Sequence, residues 1–158
     1  MTGAEWVFIG IIVVLALGAG WAVAAPMTPP ANGNPILPFP RVVIVLAQAI
    51  AFAEGFYVAG SKPQRQNNPG SLTSGSGTIL SYATAEDGWN ALYDQVQAMF
   101  TGQSVYYNVS MSISSVAYWY ADGAHDPQGA TNWARNVASQ LGVTPDTTLA
   151  TLAAQFNA

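Results

Sequence analysis

Residues 6 to 25 read WVFIGIIVVLALGAGWAVAA, twenty residues without a charged side chain. As a helix rising 1.5 Å per residue, such a run reaches about 30 Å, the hydrocarbon thickness of a bilayer. Trp6 and Trp21 fall near its ends, where amphipathic rings favour the membrane interface. A cleaved signal peptide is the rival reading, because Ala22, Val23 and Ala24 resemble a small-residue cleavage site. That alternative calls for a basic n-region and a shorter apolar core. The opening MTGAE carries Glu5 and no cation. The expectation is a retained anchor over residues 1–25, with residues 6–25 as a single transmembrane span in a lipid bilayer.

Residues 26–40, PMTPPANGNPILPFP, contain six prolines. Proline ends helices and keeps a chain extended, so this stretch reads as a linker. Residues 41–158 are then the globular domain. Across the chain, 51% of residues are apolar and only 8% charged, against roughly a quarter charged in ordinary soluble domains. Cysteine is absent, which excludes disulfides and thiolate metal sites. The net charge is −4, and the only cations are Arg41, Lys62, Arg65 and Arg135. A phosphate-binding face needs clustered cations, so nucleic acid is excluded as a partner.

Residues 41–56 predict the first helix of the domain. Val42, Val43, Ile44, Val45, Leu46, Ile50 and Phe52 cover nearly every face, which predicts a central, buried helix. Glu54 falls in its last turn, with Gly55 placed to end it. Apolar neighbours such as Ile50 and Phe56 desolvate the carboxylate, and the helix C-terminus carries partial negative charge. Both raise the pKa, and a carboxylic acid that keeps its proton is what general-acid cleavage of a sugar linkage requires. The competing reading is a structural carboxylate held by Arg65 or a backbone N–H. The amide-rich loop at residues 63–70, PQRQNNPG, offers donors and acceptors for sugar hydroxyl and acetamido groups. The same residues are also plain turn formers.

The later segments predict a small β-hairpin over residues 72–82 around Ser74-Gly75-Ser76-Gly77. Thr84 and Asp87 predict a capping box, followed by Trp89, Leu92, Tyr93, Val96, Met99 and Phe100 at helical spacing. Residues 112–121, 132–141 and 147–156 predict three short helices. The class is mainly α (α+β).

The order of AEGF (53–56), QNNPGSL (66–72), EDGWNAL (86–92), AYWYA (117–121) and LGVTPDT (141–147) resembles the lysozyme-like transglycosylase domains of phage virions and bacterial cell-wall enzymes. Gln66 and Ser71 depart from that pattern, each standing where Asn is usual. The resemblance implies a lysozyme-like helical domain behind the anchor, and cleavage of the bond between N-acetylmuramic acid and N-acetylglucosamine. It implies Glu54 as the acid and later the base, with Tyr120 orienting Glu54 or the sugar. Gln66, Asn67, Asn68, Tyr82 and Tyr118 would contact the substrate. Glu86, Asp87 and Asp122 are the candidates for a second carboxylate. Glu86 and Asp87 are better explained as helix N-terminal charges, so a single-acid route closing a 1,6-anhydro ring is expected.

No cofactor is expected. His125 beside Asp126 lacks a second histidine or a cysteine, so no metal site is expected either. The expected partners are peptidoglycan glycan strands, the bilayer, and other virion or envelope membrane proteins. The expected location is a virion internal membrane or a bacterial inner membrane, with the C-terminal domain facing the wall. The alternative is an inactive structural membrane protein that binds glycan or partner proteins, since fold does not fix activity.

Overall fold

α1, Arg41–Ala53, begins directly after Pro40, whose ring cannot donate to a helix but suits its entrance. The computed structural model describes residues 39–157, which belong to one compact unit. The expected span at residues 6–25 and nearly all of the linker lie outside the described residues. Among the described residues, no helix is long and apolar enough to cross a membrane.

Val42, Val43, Leu46, Ala47, Ala49, Ile50 and Ala51 of α1 are buried, which bears out the central position of the helix. Arg41, Gln48 and Phe52 are exposed and Ile44 and Val45 partly so, a narrow solvent stripe at helical spacing that the apolar run hides. It packs against α3, Ala85–Thr101, α5, Pro127–Leu141, and α6, Leu149–Phe156. α5, which packs along α1, itself buries Ala130, Ala134 and Ala138, and small side chains at a contact bring helix axes close. Val42 N donates to Asn157 Oδ1 at 3.0 Å, so a side chain just beyond α6 satisfies an amide that the start of α1 leaves free.

Local signals set the other boundaries. Thr84 and Asp87 form the expected capping box at α3, and Gly102 ends that helix in the left-handed region at φ 72°. Ser112 caps α4, Ile113–Tyr120. Asp126 caps α5, with Pro127 at its first position. α5 therefore starts five residues before the expected 132, within what reads as loop. A one-turn helix, α2 at Lys62–Arg65, stands where a loop was expected. The expected hairpin is reduced to an isolated antiparallel bridge, Thr73 with Ile79. With Ser74 to Gly77 taken up by the turn, few residues remain to form a ladder. The domain is thus mainly helical, with almost no strand.

Aromatic rings tie α3 to both ends of α1. Phe39 lies 5.2 Å from Tyr93, Tyr93 lies 5.6 Å from Trp89, and Trp89 lies 5.6 Å from Phe56. Such tilted and edge-on pairs contribute about 0.5–1.5 kcal/mol each beyond the area they bury. They fix the segment after α1, which carries the candidate acid.

Candidate active site

Glu54 is the residue at which α1 stops. Gly55 takes φ 75°, its N–H donates to Phe52 O at 3.0 Å, and Phe56 N–H donates to Ala51 O at 3.0 Å. This double closure is the Schellman pattern, and glycine adopts its left-handed residue without a Cβ penalty. The turn sends Glu54 toward α5, where Trp133 Nε1 donates to Glu54 Oε1 at 2.8 Å.

Glu54 as a residue keeps some contact with solvent, yet its carboxyl group is crowded by protein on most sides. Burial raises its pKa above the ordinary 4.5, while the nearby Ser71 hydroxyl and the Trp133 indole N–H partly oppose that rise. The structural alternative with Arg65 is not formed, because the Arg65 guanidinium donates to Gly60 O instead. Among the described residues the only ion pair is His125 with Asp122, 2.7 Å apart on the surface. Glu54 therefore has no cation to hold it ionised, the arrangement that keeps a proton on a carboxyl.

Tyr120, on α4, stacks on Trp133 with ring centroids 5.0 Å apart. Its hydroxyl donates to Gly70 O at 2.7 Å rather than to Glu54. Burial pushes its pKa well above 10, and the nearby Glu54, Tyr107 and Tyr82 add to the rise. Gly70 precedes Ser71, so Glu54, Trp133, Tyr120 and the loop close into one ring of contacts. Tyr120 thus positions Trp133 and the loop. Tyr82 is half-buried beside it.

The loop is held from beneath. A Cβ on Gly88 would meet Asn67 O at 1.7 Å, and a Cβ on Gly70 would meet Leu92 Cδ1 at 2.6 Å. The two glycines let residues 67–70 rest directly on α3. Asn67 and Ser71 both take positive φ, at 50° and 48°. Asn tolerates that region, whereas serine does so at a cost.

Several expected sugar contacts have other duties. Asn68 is 0% exposed. Its Nδ2 donates to Leu72 O and Leu80 O at 2.9 and 3.0 Å, and its Oδ1 accepts from Leu72 N at 2.8 Å. It is a scaffold residue, which corrects its expected substrate role. Asn67 Nδ2 is likewise committed to Tyr82 O and Ala83 O at 3.1 and 3.3 Å. Gln66 Oε1 is buried and meets no hydrogen-bond donor among the described residues. Tyr118 does not join the others at Glu54: it is 48% exposed and lines a separate groove between α4 and α5, because two residues along a helix turn its side chain about 200° from that of Tyr120.

Two of the three candidate second carboxylates are occupied elsewhere, and the third, Glu86, is exposed in the first turn of α3. Asp87 accepts from Thr84 N at 3.1 Å, and Asp122 pairs with His125. Among the described residues, no three His, Cys, Asp or Glu side chains gather to hold a metal. Trp133 and Ser71 belong to the site although sequence reasoning assigned them no part in it. A tryptophan at helical spacing reads as core, and its single N–H donor was the one available signal.

The chain matches no protein-family model, and no curated protein or solved structure is detectably similar to it.

Proposed function

We propose that this protein is a membrane-anchored lytic transglycosylase of lysozyme-like fold that cleaves the β-1,4 bond between N-acetylmuramic acid and N-acetylglucosamine in peptidoglycan. The observation that carries this is the Glu54 carboxyl, enclosed by protein, paired with no cation among the described residues, and held by the Trp133 N–H at 2.8 Å. Glu54 donates its proton to the glycosidic oxygen as the bond to the sugar carbon breaks. The resulting carboxylate then takes the proton of the sugar's own C6 hydroxyl as that oxygen closes a 1,6-anhydro ring. The Trp133 N–H is already aimed at the carboxylate that forms midway. A two-carboxylate mechanism needs a second acid opposite the first, and the groups acting on Glu54 are burial, Ser71 and Trp133. The single-acid route fits that set.

Anchored through residues 6–25, the domain would open the wall locally, during phage entry or at a bacterial inner membrane. Mass spectrometry of the products released from purified peptidoglycan tests the reading. Anhydro-muramyl ends support it, reducing ends indicate simple hydrolysis, and no release contradicts it. A second reading is favoured by the exposed rings of Tyr106, Tyr118 and Trp119. An inactive membrane protein of a virion or envelope complex would use such rings to bind glycan or partner proteins, and would retain glycan without releasing products.

A further inference from the structure

We propose that the groove between α4 and α5 is a second glycan site, separate from Glu54, that takes a carboxylate-bearing amino-sugar strand. This rests on the glycan reading above and extends it to a surface which that reading leaves unused. The two helices each show one face to Glu54 and another to the groove. α4 turns Tyr120 toward the acid and Tyr118 away from it. α5 turns Trp133 toward the acid, while Thr131 and Arg135, four residues apart, lie one above the other on its far side.

The groove encloses about 510 Å³ and is lined by Ser114, Tyr118, Thr131 and Arg135 among others. That volume lies within the roughly 300–1,000 Å³ of small-ligand sites. Tyr118 is half exposed but not loose. Gly123 N donates to Tyr118 O at 2.8 Å, and a Cβ on Gly123 would meet Tyr118 Cα and Cδ2 at 2.9 Å. Trp119 meets the same ring edge-on at 5.4 Å. A ring fixed before binding loses little freedom when a ligand arrives. Its open face suits the C–H face of a pyranose, an apolar surface on an otherwise polar molecule.

The polar groups complete the match. Ser114 Oγ donates to Pro145 O at 3.2 Å, and Thr131 Oγ1 donates to Pro127 O at 2.8 Å. With their protons turned inward, both oxygens keep lone pairs to accept from sugar hydroxyls. Arg135 is exposed and pairs with no acid among the described residues. A guanidinium takes a carboxylate through two parallel N–H bonds, which suits the lactyl acid of muramic acid. A lipid surface would call for a convex apolar face, whereas this one is concave and hydroxyl-bearing.

The test uses the full-length chain carrying Glu54→Gln, in lipid nanodiscs, titrated with soluble peptidoglycan fragments and followed by residue-resolved NMR. Signals of Tyr118, Thr131 and Arg135 should move and saturate independently of those of Ser71 and Trp133. Arg135→Gln should weaken fragment binding at the groove about tenfold, while an uncharged chitin oligosaccharide should bind the two proteins alike. Movement at the groove without movement at Ser71 and Trp133 would support the groove and count against Glu54 as a glycan site. Movement confined to Ser71 and Trp133 would overturn the groove and spare the proposed activity. Tyr118 and Trp119 signals broadened by spin-labelled lipid, and unmoved by fragments, would overturn it in favour of a membrane surface.

Discussion

Trp133 gives its indole N–H to Glu54 across 79 residues of chain, at 2.8 Å, and this bond joins α5 to the end of α1 at the candidate acid. Trp133→Phe removes the donor and keeps a ring against Tyr120. The bond acts to lower the Glu54 pKa, so its loss should raise that pKa further. The alkaline limb of the pH–rate profile should move to higher pH, with a stability cost of about 1 kcal/mol. An unmoved limb would show that the indole does not act on the acid.

The raised pKa of Glu54 also sets a pH dependence of stability. Below the ordinary value of 4.5 the group is protonated in both folded and unfolded chains. Above it the unfolded chain loses the proton first, so the folded state binds more protons and stability falls as pH rises. The fall stops once the folded-state pKa is passed. Melts of the wild type from pH 4 upward should show this decline, and Glu54→Gln should flatten it. Parallel curves for the two proteins would contradict the raised pKa.

Much of this was legible in residues of short range. The apolar saturation of α1, Gly55 after Glu54, and the Thr84–Asp87 box each carry a local cause for what the chain does there. Asp126-Pro127 was legible in principle as a capped helix start with proline at its first position, but the glycine and polar residues around it read as loop. The amides of Asn67 and Asn68 look the same whether they serve a sugar or the carbonyls of Tyr82 and Leu80. Only tertiary structure separates those uses. The partners of Trp133 and Tyr120, 79 and 50 residues away, are beyond any periodicity. Tyr118 and Tyr120 share one aromatic motif, yet the helix sends them to different surfaces.

Gly88→Ala should displace the loop from α3. Its Cβ would meet the Asn67 carbonyl oxygen at 1.7 Å, a backbone atom that no rotamer can move aside. Overpacking of this kind costs about 1–3 kcal/mol and occasionally more. A lowered melting temperature should accompany loss of glycan cleavage. A variant as stable and active as the wild type would show that the loop does not depend on this contact.

Tyr120→Phe should keep the ring stack on Trp133 while leaving Gly70 O without its donor. An unpaired buried acceptor costs about 1–3 kcal/mol, so thermal stability should drop. Activity should fall less than on loss of Glu54, because the phenol holds the loop rather than the reacting atoms. Equal loss in the two variants would place the Tyr120 hydroxyl in the chemistry itself.

The central claim is most directly met by one substitution, Glu54→Gln, assayed for peptidoglycan clearing beside a thermal melt at neutral pH. An amide is nearly isosteric with a protonated carboxyl and can still accept from Trp133, but it cannot deliver a proton to a leaving oxygen. The expected result is no clearing together with a melting temperature equal to or above that of the wild type. Removing one partner of a buried ion pair would instead cost roughly 3–5 kcal/mol. A Glu54→Gln protein that clears peptidoglycan at the wild-type rate, whatever its stability, would contradict the claim.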